Sequence, residues 1–104
     1  MTFDEYQEIA ETTAMYPLSY KVIYPTLGLA GEAGEVAEKI KKRIRDDTKV
    51  SPDAILSELG DVLFYTTALA NYYNFNLASV IAQNMFKLDG RETRGTIKGS
   101  GDER

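Results

Sequence analysis

From Ile55 onward, Leu59, Val62, Thr66, Leu69 and Tyr73 recur at intervals of three or four residues, the spacing of one face of an α-helix. Phe64, Thr67 and Ala68 lie opposite that stripe, so the segment is apolar nearly all round and needs cover on several sides. A chain of 104 residues has little material to supply it. The segment therefore predicts a homo-oligomer in which this face packs against a second copy. The alternative is a central helix in a compact monomer.

Three prolines divide the remainder. Thr2 with Glu5 forms a capping box opening a first helix, which runs to about Met15 and stops before Tyr16-Pro17. Pro25 suits the first turn of a second helix bearing Leu29, Ala33, Val36, Ala37, Ile40 and Ile44 at helical spacing. Ser51-Pro52 repeats the cap-then-proline signal for the third helix, which reaches about Tyr73. Asn76 can cap a fourth, ending near Asp89-Gly90. No stretch alternates with period two for long enough to suggest a sheet. The chain reads as all-α, with four helices in a bundle-like single domain over residues 1–104. Its Gly-rich polar tail begins at about residue 92.

Composition removes several chemistries. The chain has no Cys, His or Trp, which excludes a disulfide scaffold, a structural zinc site, a thiol nucleophile, an imidazole base and a Ser-His-Asp triad. Acid–base work falls to carboxylates, Lys, Tyr or metal-bound water. A balance of 12 basic against 16 acidic residues argues against a general nucleic-acid binder. The acidic start, Met1-Thr2-Phe3-Asp4-Glu5, is unlike a signal peptide, and no apolar run approaches the ~20 residues that span a bilayer. The expectation is a soluble, cytoplasmic protein with no membrane partner.

The charge pattern is more specific. Glu32-Ala33-Gly34-Glu35 lies on the second helix and Glu58-Leu59-Gly60-Asp61 on the third, each pair of acids projecting from one helix face. A short polar loop around Asp46-Asp47 joins these helices as antiparallel neighbours. Glu35 and Glu58 are equidistant from its centre, as are Glu32 and Asp61, so the pairs stand level. Helical angles of ~100° per residue put all four at one margin of the hairpin, at the edge of the apolar stripes. A single ExxE is common on solvated helix faces; two in matched register are not.

Two like charges ~4 Å apart repel by about 4 kcal/mol at an effective dielectric of 20, so some acids are protonated or cations sit among them. An all-oxygen donor set selects Mg²⁺ first, then Mn²⁺ or Ca²⁺, and two such ions suit a polyphosphate. Glu38 faces away from the core and reads as surface. Gly28, Gly31 and Gly34 form a ridge without side chains beside the acids, open to another helix or to a substrate.

These residues resemble a known family. Gly28 through Glu38, then Glu58 through Tyr65, with a 22-residue spacer from Val36 to Ser57, is similar to the ExxE–spacer–ExxD pattern of the MazG-like nucleoside triphosphate pyrophosphohydrolases. The likeness continues through Asn84-Met85-Phe86-Lys87-Leu88, Arg91, Arg94-Gly95-Thr96 and the ending Gly99 to Arg104, as in short phage or bacterial members. It implies an all-α dimer or tetramer that hydrolyses (d)NTPs between the α and β phosphates in Mg²⁺, with Mn²⁺ as substitute, to control the nucleotide pool. Glu32, Glu35, Glu58 and Asp61 would be the catalytic metal ligands. Asn84, Lys87, Arg91 and Arg94, together with Lys39, would contact substrate, and the tail would fold over the site. Tyr65, Tyr72 and Phe86 are candidates for reading the base.

Three rivals stand beside this reading. A non-enzymatic helical interaction module would tolerate Glu32→Gln. A di-iron bundle would need His, which the chain lacks. A phosphoribosyl-ATP pyrophosphohydrolase carries similar acidic helices, and substrate tests separate it.

Overall fold

In the computed structural model, which describes residues 1–104, the chain is all-helical, with four α-helices and no strand. They are α1 (Phe3–Thr13), α2 (Ile23–Asp46), α3 (Pro52–Tyr72) and α4 (Leu77–Arg94), and a 3₁₀ turn at Leu18–Tyr20 leads from α1 into α2.

Most start signals act as their chemistry dictates, although Ser51 takes the N-cap position of α3 without a side-chain capping bond. Thr2 Oγ1 accepts from the Glu5 N–H while Glu5 Oε1 accepts from the Thr2 N–H, both at 3.1 Å. Pro52 occupies the first turn of α3, and the Asn76 side chain accepts from the Ala78 N–H to open α4. The ends depart more from expectation. α1 stops at Thr13, two residues before Met15. α4 runs through Gly90 and ends at Arg94, because the stop is made one turn later. Gly95 adopts φ +71°, its N–H bonds the Glu92 carbonyl, and the Thr96 N–H bonds the Arg91 carbonyl. This is the Schellman arrangement, in which glycine takes the left-handed position. Gly90 remains helical with the Arg94 guanidinium lying over it.

α2 and α3 pack along one another, α1 packs on α3 and α4, and α4 makes a smaller contact with α3. The α2–α3 pair is antiparallel, since Gly28 meets Tyr65 while Lys39 meets Glu58. Gly28 and Tyr65 are equidistant from the loop, in the same register that sets Glu32 level with Asp61. A Cβ at Gly28 would lie 2.6 Å from the Tyr65 ring, whereas one at Gly31 would meet nothing within 4 Å. Gly28→Ala should therefore destabilise by about 1–3 kcal/mol through overpacking. Gly31→Ala should stabilise by up to about 1 kcal/mol through helix propensity. Urea unfolding of both variants reads the opposite signs.

Gln7 ties α1 to the α3–α4 turn. Its amide donates to Asn71 Oδ1 and the Phe75 carbonyl, its Oε1 accepts from the Leu77 N–H, and Asn71 donates back to the Gln7 carbonyl. The core around these bonds is small. Seven residues are buried, among them Ala10, Thr67, Ala68, Ala70 and Leu77. The accessible surface of 7859 Å² exceeds the ~5,800 Å² of a compact monomer of this mass. The radius of gyration, 16.5 Å, exceeds the ~13 Å expected for this length.

The face of α3 expected to meet a second copy is instead covered within the chain, with Thr67 and Ala68 buried and Phe64 half-buried, and the exposed apolar side chains lie elsewhere. On α2, Ala30, Ala33, Ala37, Ile40 and Ile44 are exposed at alternating spacings of three and four, and on α3 so are Leu56, Leu59 and Leu63. At about 100° per residue both stripes turn to the same side of the α2–α3 pair. Leu63 also lines a groove of about 380 Å³ with Phe3, Tyr6, Leu77, Val80 and Ile81. No helix is long and apolar enough to cross a membrane.

Residues 95–104 fold back on α4. The Arg104 guanidinium donates to the carbonyls of Thr96, Ile97 and Gly101, while the Arg104 main-chain oxygen accepts from Arg94 Nε and Thr96 Oγ1.

Candidate metal centre

The α2–α3 register brings Glu32, Glu58 and Asp61 together, with one carboxylate oxygen from each lying within 4.8 Å of the others. Glu32 and Glu58 are half-buried and Asp61 is exposed. Glu35 stays outside the cluster. It stands level with Glu58 but is exposed on α2, and Glu58 leans past it toward Glu32 on one side and Lys39 on the other.

Electrostatics expose the strain in this arrangement. The Glu32 carboxyl is held above its usual range, first by a hydrogen bond with the Glu58 carboxyl, then by burial and by the charges of Asp61, Glu58 and Glu35. A folded-state value above the unfolded one means this proton's stabilisation is complete below the ordinary carboxylate pKa and is lost as pH rises through the raised value. Above that raised value the cluster is a site of repulsion, partly offset by Lys39 Nζ, 3.5 Å from Glu58 Oε1.

Three oxygens that close, short of positive charge and without nitrogen or sulfur donors, fit a hard divalent cation. Glu32, Glu58 and Asp61 would hold it.

Tyrosines flank the acids. Tyr16 stacks on Tyr24 with ring centroids 4.6 Å apart, and Tyr24 lies 6.4 Å from Tyr65. Burial raises the Tyr65 phenol above its usual range, followed by Tyr24 and by the charges of Glu32 and Asp61. Tyr6 is raised likewise by burial and then by Asp61. Tyr6, Tyr16 and Tyr24 carried no motif, although Tyr24, Gly28 and Glu32 at successive spacings of four place one tyrosine on the acidic face.

The matching family decides the chain's relationship. The MazG nucleotide pyrophosphohydrolase domain matches residues 25–95, from the first turn of α2 to the glycine that ends α4. The chain belongs to the MazG family. It is also 43% identical, over the whole length of both chains, to the Gene 37 protein of Mycobacterium phage L5. No solved structure matches it. The MazG match spans the carboxylate cluster and all of α4, where the remaining candidate residues lie.

Asn84 is exposed in the middle of α4. Lys87 Nζ is 2.8 Å from Asp102 Oδ1, and Arg91 is buried with its guanidinium also on Asp102. Arg94 is exposed, with Nε on the Arg104 main-chain oxygen. No ion pair joins these α4 cations to the carboxylate cluster; the cation paired there is Lys39. Of the aromatic candidates, Tyr65 adjoins the cluster, while Tyr72 and Phe86 are exposed.

Proposed function

We propose that this MazG-family chain is a Mg²⁺-dependent pyrophosphohydrolase that cleaves (d)NTPs between the α and β phosphates, releasing (d)NMP and pyrophosphate and so controlling the nucleotide pool. The observation that carries this reading is the convergence of Glu32, Glu58 and Asp61 on one point. A divalent cation there supplies charge neutralisation for the polyphosphate and a water acidified toward neutral pH. The chain's own residues do the rest. Glu32, Glu58 and Asp61 hold the cation, and Glu35 joins them from the next turn of α2. One carboxylate of the set orients the attacking water. Lys39 offers a nearby positive charge to the phosphates, Lys87, Arg91 and Arg94 bind them from α4, and Asn84 takes the sugar. Tyr65, with Tyr24 behind it, is the aromatic surface for the base.

The working form is a homo-oligomer. The exposed stripes on α2 and α3 make one continuous apolar face, and Ala30 opposite Leu63 and Ala37 opposite Leu56 alternate small with large. The surplus surface, roughly 2,000 Å², exceeds the ~800 Å² each partner buries in a standard interface.

Incubation with a panel of NTPs and dNTPs in Mg²⁺, with products resolved by anion exchange, tests the reaction. Monophosphate and pyrophosphate are the expected products. Orthophosphate with a diphosphate would overturn the reaction type.

A further inference from the structure

The Lys87–Arg91 pair already holds an anion, one that belongs to the chain itself. Asp102 Oδ1 accepts from Lys87 Nζ at 2.8 Å and from an Arg91 terminal nitrogen at 3.1 Å, and the Asp102 carbonyl accepts from the same nitrogen at 3.0 Å. These are charge-assisted contacts of the kind a phosphate oxygen makes. Arg91 is an unusual residue to spend on a tail contact, because its side chain is 11% exposed whereas that of Asp102 is 73% exposed. Its Nε is buried with no acceptor, so Asp102 leaves a donor of the guanidinium unserved. A phosphate offers more acceptor oxygens than one carboxylate can.

The segment carrying Asp102 is closed on itself. Arg104 closes residues 96–104 on themselves through the carbonyls of Thr96, Ile97 and Gly101. Gly95, at φ +71°, is where the chain turns out of α4 into this loop. The Asp102 contacts are the only ion pairs that fasten the loop to the helix; the other side-chain bonds are Arg94 Nε on the Arg104 main-chain oxygen and a longer one, 3.4 Å, from Thr96 Oγ1 to the Arg91 carbonyl.

We propose that the tail is an autoinhibitory strap, with Asp102 occupying the anion subsite of Lys87 and Arg91 until a phosphate-bearing ligand displaces it. This rests on the reading of Lys87 and Arg91 as phosphate contacts and does not require turnover. Asp102 is largely exposed, so its removal leaves the helical packing intact.

The test uses the full chain and inorganic pyrophosphate in EDTA, where the carboxylate cluster takes no part. Calorimetric affinity is measured for the parent, Asp102→Asn, and Glu8→Gln as a remote control for net charge. Hydrogen exchange of residues 95–104 is followed in the parent. Asp102→Asn should bind pyrophosphate about two- to fivefold more tightly, the scale of an exposed ion pair. Glu8→Gln should match the parent, and pyrophosphate should raise exchange in the tail. Equal or weaker binding by Asp102→Asn, an equal gain in Glu8→Gln, or tail amides that stay protected with pyrophosphate bound would overturn the strap. A strap that releases in a chain hydrolysing no nucleotide would separate this proposal from the enzymatic one.

Discussion

Glu58→Gln should lower turnover of the preferred nucleotide by about 10²–10³-fold or more, the scale on which removing one electrostatic stabiliser acts in an active site. Glu58 is the member of the cluster that touches both Glu32 and Lys39, so its charge links the acids to their nearby cation. The substitution keeps size and shape while removing a ligand charge. Loss of activity through unfolding predicts a lower Tm in EDTA. The cluster account predicts the reverse, an equal or higher Tm at neutral pH, because one of several mutually repelling carboxylates has been neutralised. Added Mg²⁺ should raise the Tm of the parent and leave the variant nearly unmoved. Steady-state rates and melting curves on the same preparations separate the two explanations.

The second large effect concerns the apolar side of the α2–α3 pair. Leu59→Glu should dissociate the oligomer and lower Tm by about 10 °C or more, since an unpaired charge buried in an interface costs several kcal/mol and a domain of this size shifts roughly 4–8 °C per kcal/mol. In a monomer the same substitution is nearly silent, because Leu59 is 52% exposed there and such surface changes fall within about 0.5 kcal/mol. Light scattering coupled to size exclusion, together with thermal melts, distinguishes these outcomes. Leu59 lies between Glu58 and Gly60, so a monomer that also loses activity would tie assembly to the site's geometry.

The helices were legible because each carries redundant local signals. Thr2 with Glu5, Ser51 with Pro52, and Asn76 all open helices where they stand. Register was legible for a different reason. A short loop between antiparallel helices makes equidistant residues level, and Gly28 against Tyr65 shows the rule at work. The limits are physical too. Glycine marks a helix end only when the chain turns left-handed at it, and nothing local distinguishes Gly90, which stays helical, from Gly95, which does not. Level is also not the same as facing. Glu35 stands at the right height, yet its exposed carboxylate lies outside the group formed by Glu32, Glu58 and Asp61. The tail's grip on Lys87 and Arg91 depends on glycines at positive φ and on bonds spanning 11 to 15 residues, which no periodicity encodes.

A hard-cation site made by Glu32, Glu58 and Asp61 should take up a divalent ion in the absence of nucleotide. Mn²⁺ has oxygen-ligand preferences near those of Mg²⁺. Titration of the metal-free chain with Mn²⁺, followed by electron paramagnetic resonance, counts bound ions directly. The account predicts bound Mn²⁺ in the parent, displaced by excess Mg²⁺ and lost in Glu58→Gln. Free Mn²⁺ throughout the parent titration, or undiminished binding in Glu58→Gln, would contradict it.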